Sequence, residues 1–260
     1  MPVFLYICRK ISTSSDMVYI SLPEGASANN PTKNKKPREL PFYLAMEEYV
    51  ARHSGEDAFF MWQVEPTVIF GRNQHLESEV NVDYCRRHHI KMVRRKSGGG
   101  CVYADKDNVM LSMITCDEKV DFAFNRFVNA LLLVLHKMGI EATGTSHNDI
   151  LINNKKVSGT ACYHLPGHSI VHSTLLYNTN MEHMLHAITP STEKLQSKGI
   201  QSVRQRITFL KDYTQLTIDE VKALIRGTIC SGERILTDDD VRAIEEIEKD
   251  YLKEEFIHLI

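Results

Sequence analysis

The apolar residues of this chain fall mostly into short alternating runs, and turn formers rather than long helices join most of them. That order predicts antiparallel hairpins interrupted by helices, an α+β sheet with helices on one side. Asn153-Asn154, which tolerate the positive φ angles of a tight primed turn, separate a run over 149–152 from one beginning at Lys156. Lys156 therefore stands two residues past a fixed hairpin. Residues 58–64 and 67–70 read as a strand pair broken by Glu65-Pro66, and residues 90–95, 101–104, 108–115 and 169–178 read as further strands. Helices are expected over 41–53, started by Pro41, and over 122–138, where Phe127, Leu131, Val134 and Met138 share one face and Gly139 ends the run. After Leu210 the pattern turns helical, with a capping box at Thr217–Glu220 and a last helix marked by Val241, Ile244, Ile247 and Tyr251. There is no strand–helix–strand alternation and no Gly-x-Gly-x-x-Gly, which argues against a dinucleotide fold.

The length, 260 residues, suits one large domain or one and a half. Three segments are expected. Residues 1–40 hold a first strand near Met17 and a polar surface loop, with Met17 itself a candidate start; residues 41–210 form the core, and residues 211–260 form helices packed on it. The longest purely apolar run, Ala130–Leu135, has six residues against the roughly 20 of a membrane span. No basic segment precedes the apolar amino terminus, so the chain reads as unexported and cytoplasmic. Six cysteines without a Cys-x-x-Cys pair fit reduced thiols, and the twelve histidines fix no tetrahedral metal set. A formal charge of −2 argues against a general nucleic-acid binder, although Arg86–Lys96 carries six cations and no acid.

Chemistry concentrates in three places. The Arg94-Arg95-Lys96-Ser97-Gly98-Gly99-Gly100-Cys101 run lacks Cβ atoms at three positions, so a ligand can approach the backbone and several N–H groups can converge on one anion. Asn148-Asp149 and Lys155-Lys156-Val157-Ser158-Gly159-Thr160 flank the hairpin, where one ammonium could neutralise a developing oxyanion or phosphate. Thr189 to Ile207 contains Lys194, Lys198, Ser202, Arg204 and Arg206.

In order and approximate spacing these runs, with Pro41–Glu48, Ile69–Gln74 and Ser197–Arg206, resemble the lipoate–protein ligase family over about residues 17 to 210. The resemblance implies the α+β catalytic core of biotin and lipoate ligases, related to class II synthetases, with a mixed, mainly antiparallel sheet flanked by helices. It implies ATP-dependent activation of lipoate to lipoyl-AMP, with Mg²⁺ accompanying the ATP, and transfer to a lysine of a lipoyl domain. That domain would belong to a 2-oxo-acid dehydrogenase or a glycine-cleavage H protein. The lipoate pocket would be lined by Arg94, Arg95, Ser97, Gly98, Gly99, Gly100 and His172. Nucleotide contacts would come from Cys101, Val102, Asn148, Asp149, Lys156, Ser158, Gly159, Thr160, Thr174, Lys198, Ser202 and Arg204. Lys156 would be the catalytic cation, acting electrostatically rather than as a base.

The chain departs from the family pattern in three places. Ser146-His147 precede Asn148-Asp149 where many relatives have Gly-Arg, and Ser173 replaces a glycine in the His-His-Gly-Thr pattern. Only about fifty residues follow Leu210, too few for the mobile carboxy-terminal domain of longer ligases, so either a small separate subunit supplies that part or the core acts alone. Two rival readings follow. A cysteine-dependent octanoyl or lipoyl transferase would need a nucleophilic thiol, for which only Cys101 and Cys162 lie close to the motifs. A non-catalytic lipoate-binding relative would account for His147 and Ser173.

Overall fold

Apolar side chains lie on both faces of the long central strands, and the architecture follows from covering both. The computed structural model describes residues 17–23, 38–116, 119–145, 149–189 and 206–258. In chain order the elements are β1 (Val18–Ser21), α1 (Leu40–His53), β2 (Ala58–Trp62), β3 (Thr67–Phe70), α2 (Leu76–Glu79), α3 (Val82–Arg87), β4 (Lys91–Arg94), β5 (Val102–Ala104) and β6 (Asn108–Cys116). There follow α4 (Val120–Lys137), β7 (Thr143–Gly144), β8 (Asp149–Ile152), β9 (Lys155–Leu165), β10 (His168–Leu176), α5 (Met181–Ala187), α6 (Ile218–Ile229), β11 (Gly232–Ile235), α7 (Asp238–Tyr251) and α8 (Glu254–His258).

The main sheet has eight strands in the order β11-β1-β2-β6-β10-β9-β8-β7, and a smaller one has the order β4-β3-β5. In the main sheet pairing is antiparallel from β2 to β7 and parallel for β1 with β11 and with β2; in the small sheet β3 pairs parallel with β4 and antiparallel with β5. Side chains on successive strand residues point to opposite faces, so Phe60, Ile114 and Ile170 join one core with α1 and α7, whereas Phe59, Met113 and Val171 join another with α4 and α6. Helices thus cover both faces, not one. The signal was present in β6 and β10, where almost every residue of both faces is buried.

Asn153 and Asn154 take left-handed angles (φ 49° and 62°) and close the β8–β9 hairpin as expected. Residues 58–64 and 67–70 do not pair with each other. Glu65-Pro66 ends β2 in the main sheet, and β3 starts the small sheet between β4 and β5. Capping boxes start both α6, at Thr217, and α7, at Thr237. The strand β11 interrupts the helical carboxy-terminal pattern and pairs with β1 at the sheet edge. Among the described residues no helix is long and apolar enough to cross a membrane.

Candidate active site

The arginines at the end of β4 face opposite ways, as neighbours on a strand do. Arg94, 1% exposed, points away from the glycine run. It donates to the carbonyls of Gly71, Arg72 and Gln74 at 2.7–3.1 Å and to Ile257 O in α8 at 2.9 and 3.1 Å. Arg95 turns inward and donates to Ile69 O, Gly98 O and Gly100 O, with Nε also on Ser97 Oγ at 2.9 Å. Burial pushes its guanidinium down to about 10, still cationic at neutral pH. The loop this builds presses against Gly71, where a Cβ would lie 2.3 Å from Gly99 O, so only glycine fits.

On the facing sheet, Lys156 and Gly159 lie three apart on β9, which in a regular strand puts them on opposite faces. A register shift between Ile150 and Leu151 leaves Val157 as an extra residue, so Lys156 and Gly159 come to the same side. A Cβ on Gly159 would sit 2.2 Å from Lys156 Nζ and 2.4 Å from its Cε. The ammonium lies across the strand through the space a side chain would fill. It pairs with Asp149 Oδ1 at 2.7 Å, and Arg206 pairs with Asp149 Oδ2 at 2.6 Å. Burial pushes the Asp149 carboxyl up, but the two cations outweigh that and hold it below the usual carboxylate range, ionised.

Loop and sheet enclose a cavity of about 480 Å³. Its apolar part is lined by Leu44, Trp62, Ile69, Val102, Met110 and Ala161, and its polar end by Arg95, Lys156, Asp149, Arg206, Thr160 and Thr174. Gly99, Gly100, Cys101, Gly159, His172 and Ser173 also line it, as does one acid, Glu79. The motifs separated in sequence by about sixty residues therefore meet. The shape suits a molecule with an apolar tail and an anionic head.

Four expected site residues do not line this cavity. Arg94 is spent on carbonyls, Ser97 is buried between Arg95 and His172, Gly98 is exposed with its carbonyl held by Arg95, and Ser158 is wholly buried with Oγ 2.7 Å from Ser173 Oγ. Asn148, Lys198, Ser202 and Arg204 lie outside the described residues, as do Ser146 and His147. The basic run also delivers less charge than its composition suggested. Arg86 and Arg87 are exposed on α3, Lys91 pairs with Glu39, and Lys96 pairs with Glu48 at 2.6 Å. Of that run only Arg95 reaches the cavity wall, and the other cations at the polar end are Lys156 of β9 and Arg206. Ser173 accommodates its added hydroxyl by bonding within the sheet, to Ser158 Oγ and Gly159 O.

Because Arg94 holds four carbonyls with almost no solvent to replace it, Arg94→Met keeps the apolar stem and removes the hydrogen bonds. We expect a loss of roughly 3 kcal/mol and a thermal midpoint lower by about 10 °C, followed by circular dichroism. A midpoint within about 1 °C of the parent would mean water replaces the guanidinium at no cost.

Two buried carboxylates on α1 were not anticipated. Glu47, 3% exposed, accepts from Ser112 Oγ at 2.6 Å and sits 3.0 Å from His172 Nδ1, whose Nε2 is 2.7 Å from Ser97 Oγ. Glu48 is held by Lys96, Arg52 and the Tyr251 hydroxyl, and its neighbourhood, with burial foremost, pushes the tyrosine well above its ordinary value. The signal available was a pair of adjacent acids inside an otherwise apolar helix. Of the two cysteines near the motifs, Cys101 lines the cavity and Cys162 does not, and burial pushes the Cys162 thiol up to about 11.

The family model for the lipoyl protein ligase A/B catalytic domain matches residues 40–229. Lipoate–protein ligase 1 of Staphylococcus aureus is 36% identical over 216 residues, which make up 80% of this chain and 66% of that protein. A bi-partite lipoate protein ligase from Thermoplasma acidophilum, studied with its E2 lipoyl domain, superimposes with a TM-score of 0.77 at 24% identity, covering 94% of this chain and 97% of the other. A lipoate–protein ligase A bound with ATP gives a TM-score of 0.77 at 21% identity, covering 94% and 100%. The fold is therefore that of a lipoate-ligase catalytic core. The chain belongs to the lipoyl protein ligase A/B catalytic domain family. It spans about two thirds of the length of the curated relatives it matches.

Proposed function

We propose that the chain activates lipoate with MgATP and passes the acyl group to a lysine of a lipoyl domain. The carrying observation is that one cavity is lined by Trp62 and other apolar side chains together with Lys156 and the glycine loop. In the first half-reaction a lipoate carboxylate oxygen attacks the α-phosphorus of ATP, and the bond to pyrophosphate breaks. Both reactants are anions, so the approach needs cations placed beforehand. Lys156 and Arg206 supply them, and backbone N–H groups of the loop receive the carboxylate. In the second half the acceptor lysine attacks the acyl carbonyl, loses a proton, and AMP leaves. Negative charge, which in the first half builds on the α-phosphate and the departing pyrophosphate, develops here on the acyl carbonyl oxygen joined to that phosphate, so the Lys156 ammonium can serve both halves.

The parent family and the ATP-bound and lipoyl-domain-associated neighbours support this choice of substrates. The acceptor would be a lipoyl domain of a 2-oxo-acid dehydrogenase or a glycine-cleavage H protein, and the chain would act in the cytoplasm, with or without a small accessory subunit. Arg95, Gly99, Gly100 and His172 would face the acyl group, Asp149, Gly159, Thr160 and Thr174 the nucleotide, and Cys101 and Val102, expected on the nucleotide side, would stand where the two meet. Incubation with lipoate, octanoate or biotin plus MgATP, read by mass spectrometry, should yield lipoyl-AMP and pyrophosphate. Acyl transfer from a carrier protein without ATP would instead favour a cysteine-dependent transferase. Lipoate binding with no pyrophosphate released would favour a non-catalytic relative.

A further inference from the structure

Glu47 lies in the middle of α1, outside the cavity lining, yet a continuous chain of hydrogen bonds joins it to the glycine loop. Arg95 Nε–H donates to Ser97 Oγ at 2.9 Å, Ser97 Oγ lies 2.7 Å from His172 Nε2, and His172 Nδ1 lies 3.0 Å from Glu47 Oε2. Beyond Glu47, Oε1 accepts from Ser112 Oγ, which in turn accepts from the Trp62 indole N–H at 2.9 Å.

The direction of this chain follows from counting protons. A carboxylate only accepts, so His172 carries a proton on Nδ1 and gives it to Glu47. Arg95 only donates, so Ser97 Oγ accepts there and its own proton is left for His172 Nε2. Every donor then points from the buried guanidinium toward the buried carboxylate, each bond polarising the next. Among the described residues no carboxylate forms an ion pair with Arg95, so Glu47 is its counter-charge at second hand.

The consequence lies in the loop. Arg95 Nη2 holds Gly98 O at 2.6 Å and Gly100 O at 2.7 Å. In a trans peptide the N–H is antiparallel to the C=O, so the N–H groups of Gly99 and Cys101 are aimed away from the guanidinium. Both residues line the cavity. We propose that Glu47 is a positioning residue: acting through His172, Ser97 and Arg95, it fixes the peptide planes whose N–H groups receive the acyl carboxylate. This rests on the lipoate reading of the cavity, and the orientation of the loop does not.

Glu47→Gln keeps the shape but cannot accept from both Ser112 and His172. In the full chain, hydrogen exchange followed by mass spectrometry should quicken over residues 95–102, and calorimetry without ATP should show lipoate binding weakened about tenfold or more. Affinity for ATP should fall less than affinity for lipoate, because Lys156 and Arg206 at the polar end lie outside this chain of bonds, whereas general loosening would weaken both alike. Ser97→Ala cuts the same chain nearer the loop and should give the same pattern, keeping the idea testable if Glu47→Gln does not fold. Glu48→Gln, the neighbouring buried carboxylate outside the chain, should lower the thermal midpoint and leave lipoate affinity unchanged. If Glu47→Gln and Glu48→Gln act alike, or if neither exchange nor lipoate affinity changes in Glu47→Gln and Ser97→Ala, the assignment is overturned. If the parent chain binds no lipoate, the reading of the cavity fails instead, and the exchange result still decides whether Glu47 orders the loop.

Discussion

Replacing Lys156 with alanine will cut lipoyl-AMP formation by about 10²–10³-fold while leaving the protein folded. The size follows from the position of the charge. The Lys156 ammonium is the end of a side chain 20% exposed, laid over Gly159 at the polar end of the cavity, and it is preorganised by Asp149 before any ligand arrives. The stability cost is small, because a partly exposed ion pair contributes at most about 1 kcal/mol and Arg206 still neutralises Asp149. Lys156→Arg should not restore the rate. A guanidinium is planar and wider than an ammonium, and the space over Gly159 is already filled by Nζ and Cε. Pyrophosphate release, measured with a thermal melt on the same samples, checks both halves of the statement. A Lys156→Ala chain as active as its parent would remove Lys156 from the reaction.

What the sequence made legible was local. Paired asparagines fixed one hairpin, three glycines between strand-like runs marked a loop, and Thr217–Glu220 announced a helix start, because each acts through neighbours a few residues away. Less visible were features whose partners lie far along the chain. Nothing in Arg94-Arg95 tells which side chain will be consumed by Gly71, Arg72, Gln74 and Ile257, the last 163 residues away. The composition of that run suggested a cationic cleft, whereas carbonyl and carboxylate partners take up most of it and Arg95 alone joins Lys156 and Arg206 there. The strands of residues 58–64 and 67–70 looked like a hairpin because sequence adjacency is the strongest prior on pairing; Glu65-Pro66 instead sends them to separate sheets. The two-sided burial of β6 and β10 was readable in their composition and carried the second helical layer with it. Glu47 was hidden for the opposite reason: an acid in an apolar helix looks like an exposed residue until His172, 125 positions away, is seen to meet it.

Gly159→Ala separates the geometry of the site from its charge, since it removes no charged group at all. The added Cβ would meet Lys156 Nζ at 2.2 Å and Cε at 2.4 Å, distances that no real Cβ tolerates. What must yield is the end of a flexible side chain and not the backbone, so the strand can stay and the ammonium must leave. The fold loses nothing by it: replacing glycine with alanine in a strand restricts the unfolded chain and stabilises by about 0.4–1 kcal/mol where the backbone angle is compatible. The expected result is therefore a melting temperature equal to or slightly above that of the parent, together with adenylation down by about 10²-fold, the cost of displacing a preorganised group by an ångström or more. Stability and activity moving in opposite directions is a combination that unfolding cannot produce. The double variant Lys156→Ala, Gly159→Ala should be about as slow as Lys156→Ala alone, because the added Cβ falls in the space that Lys156 Nζ and Cε vacate. If instead Gly159→Ala works within about threefold of the parent, the ammonium acts from somewhere other than the groove over β9, and the bulge at Val157 has no part in placing it.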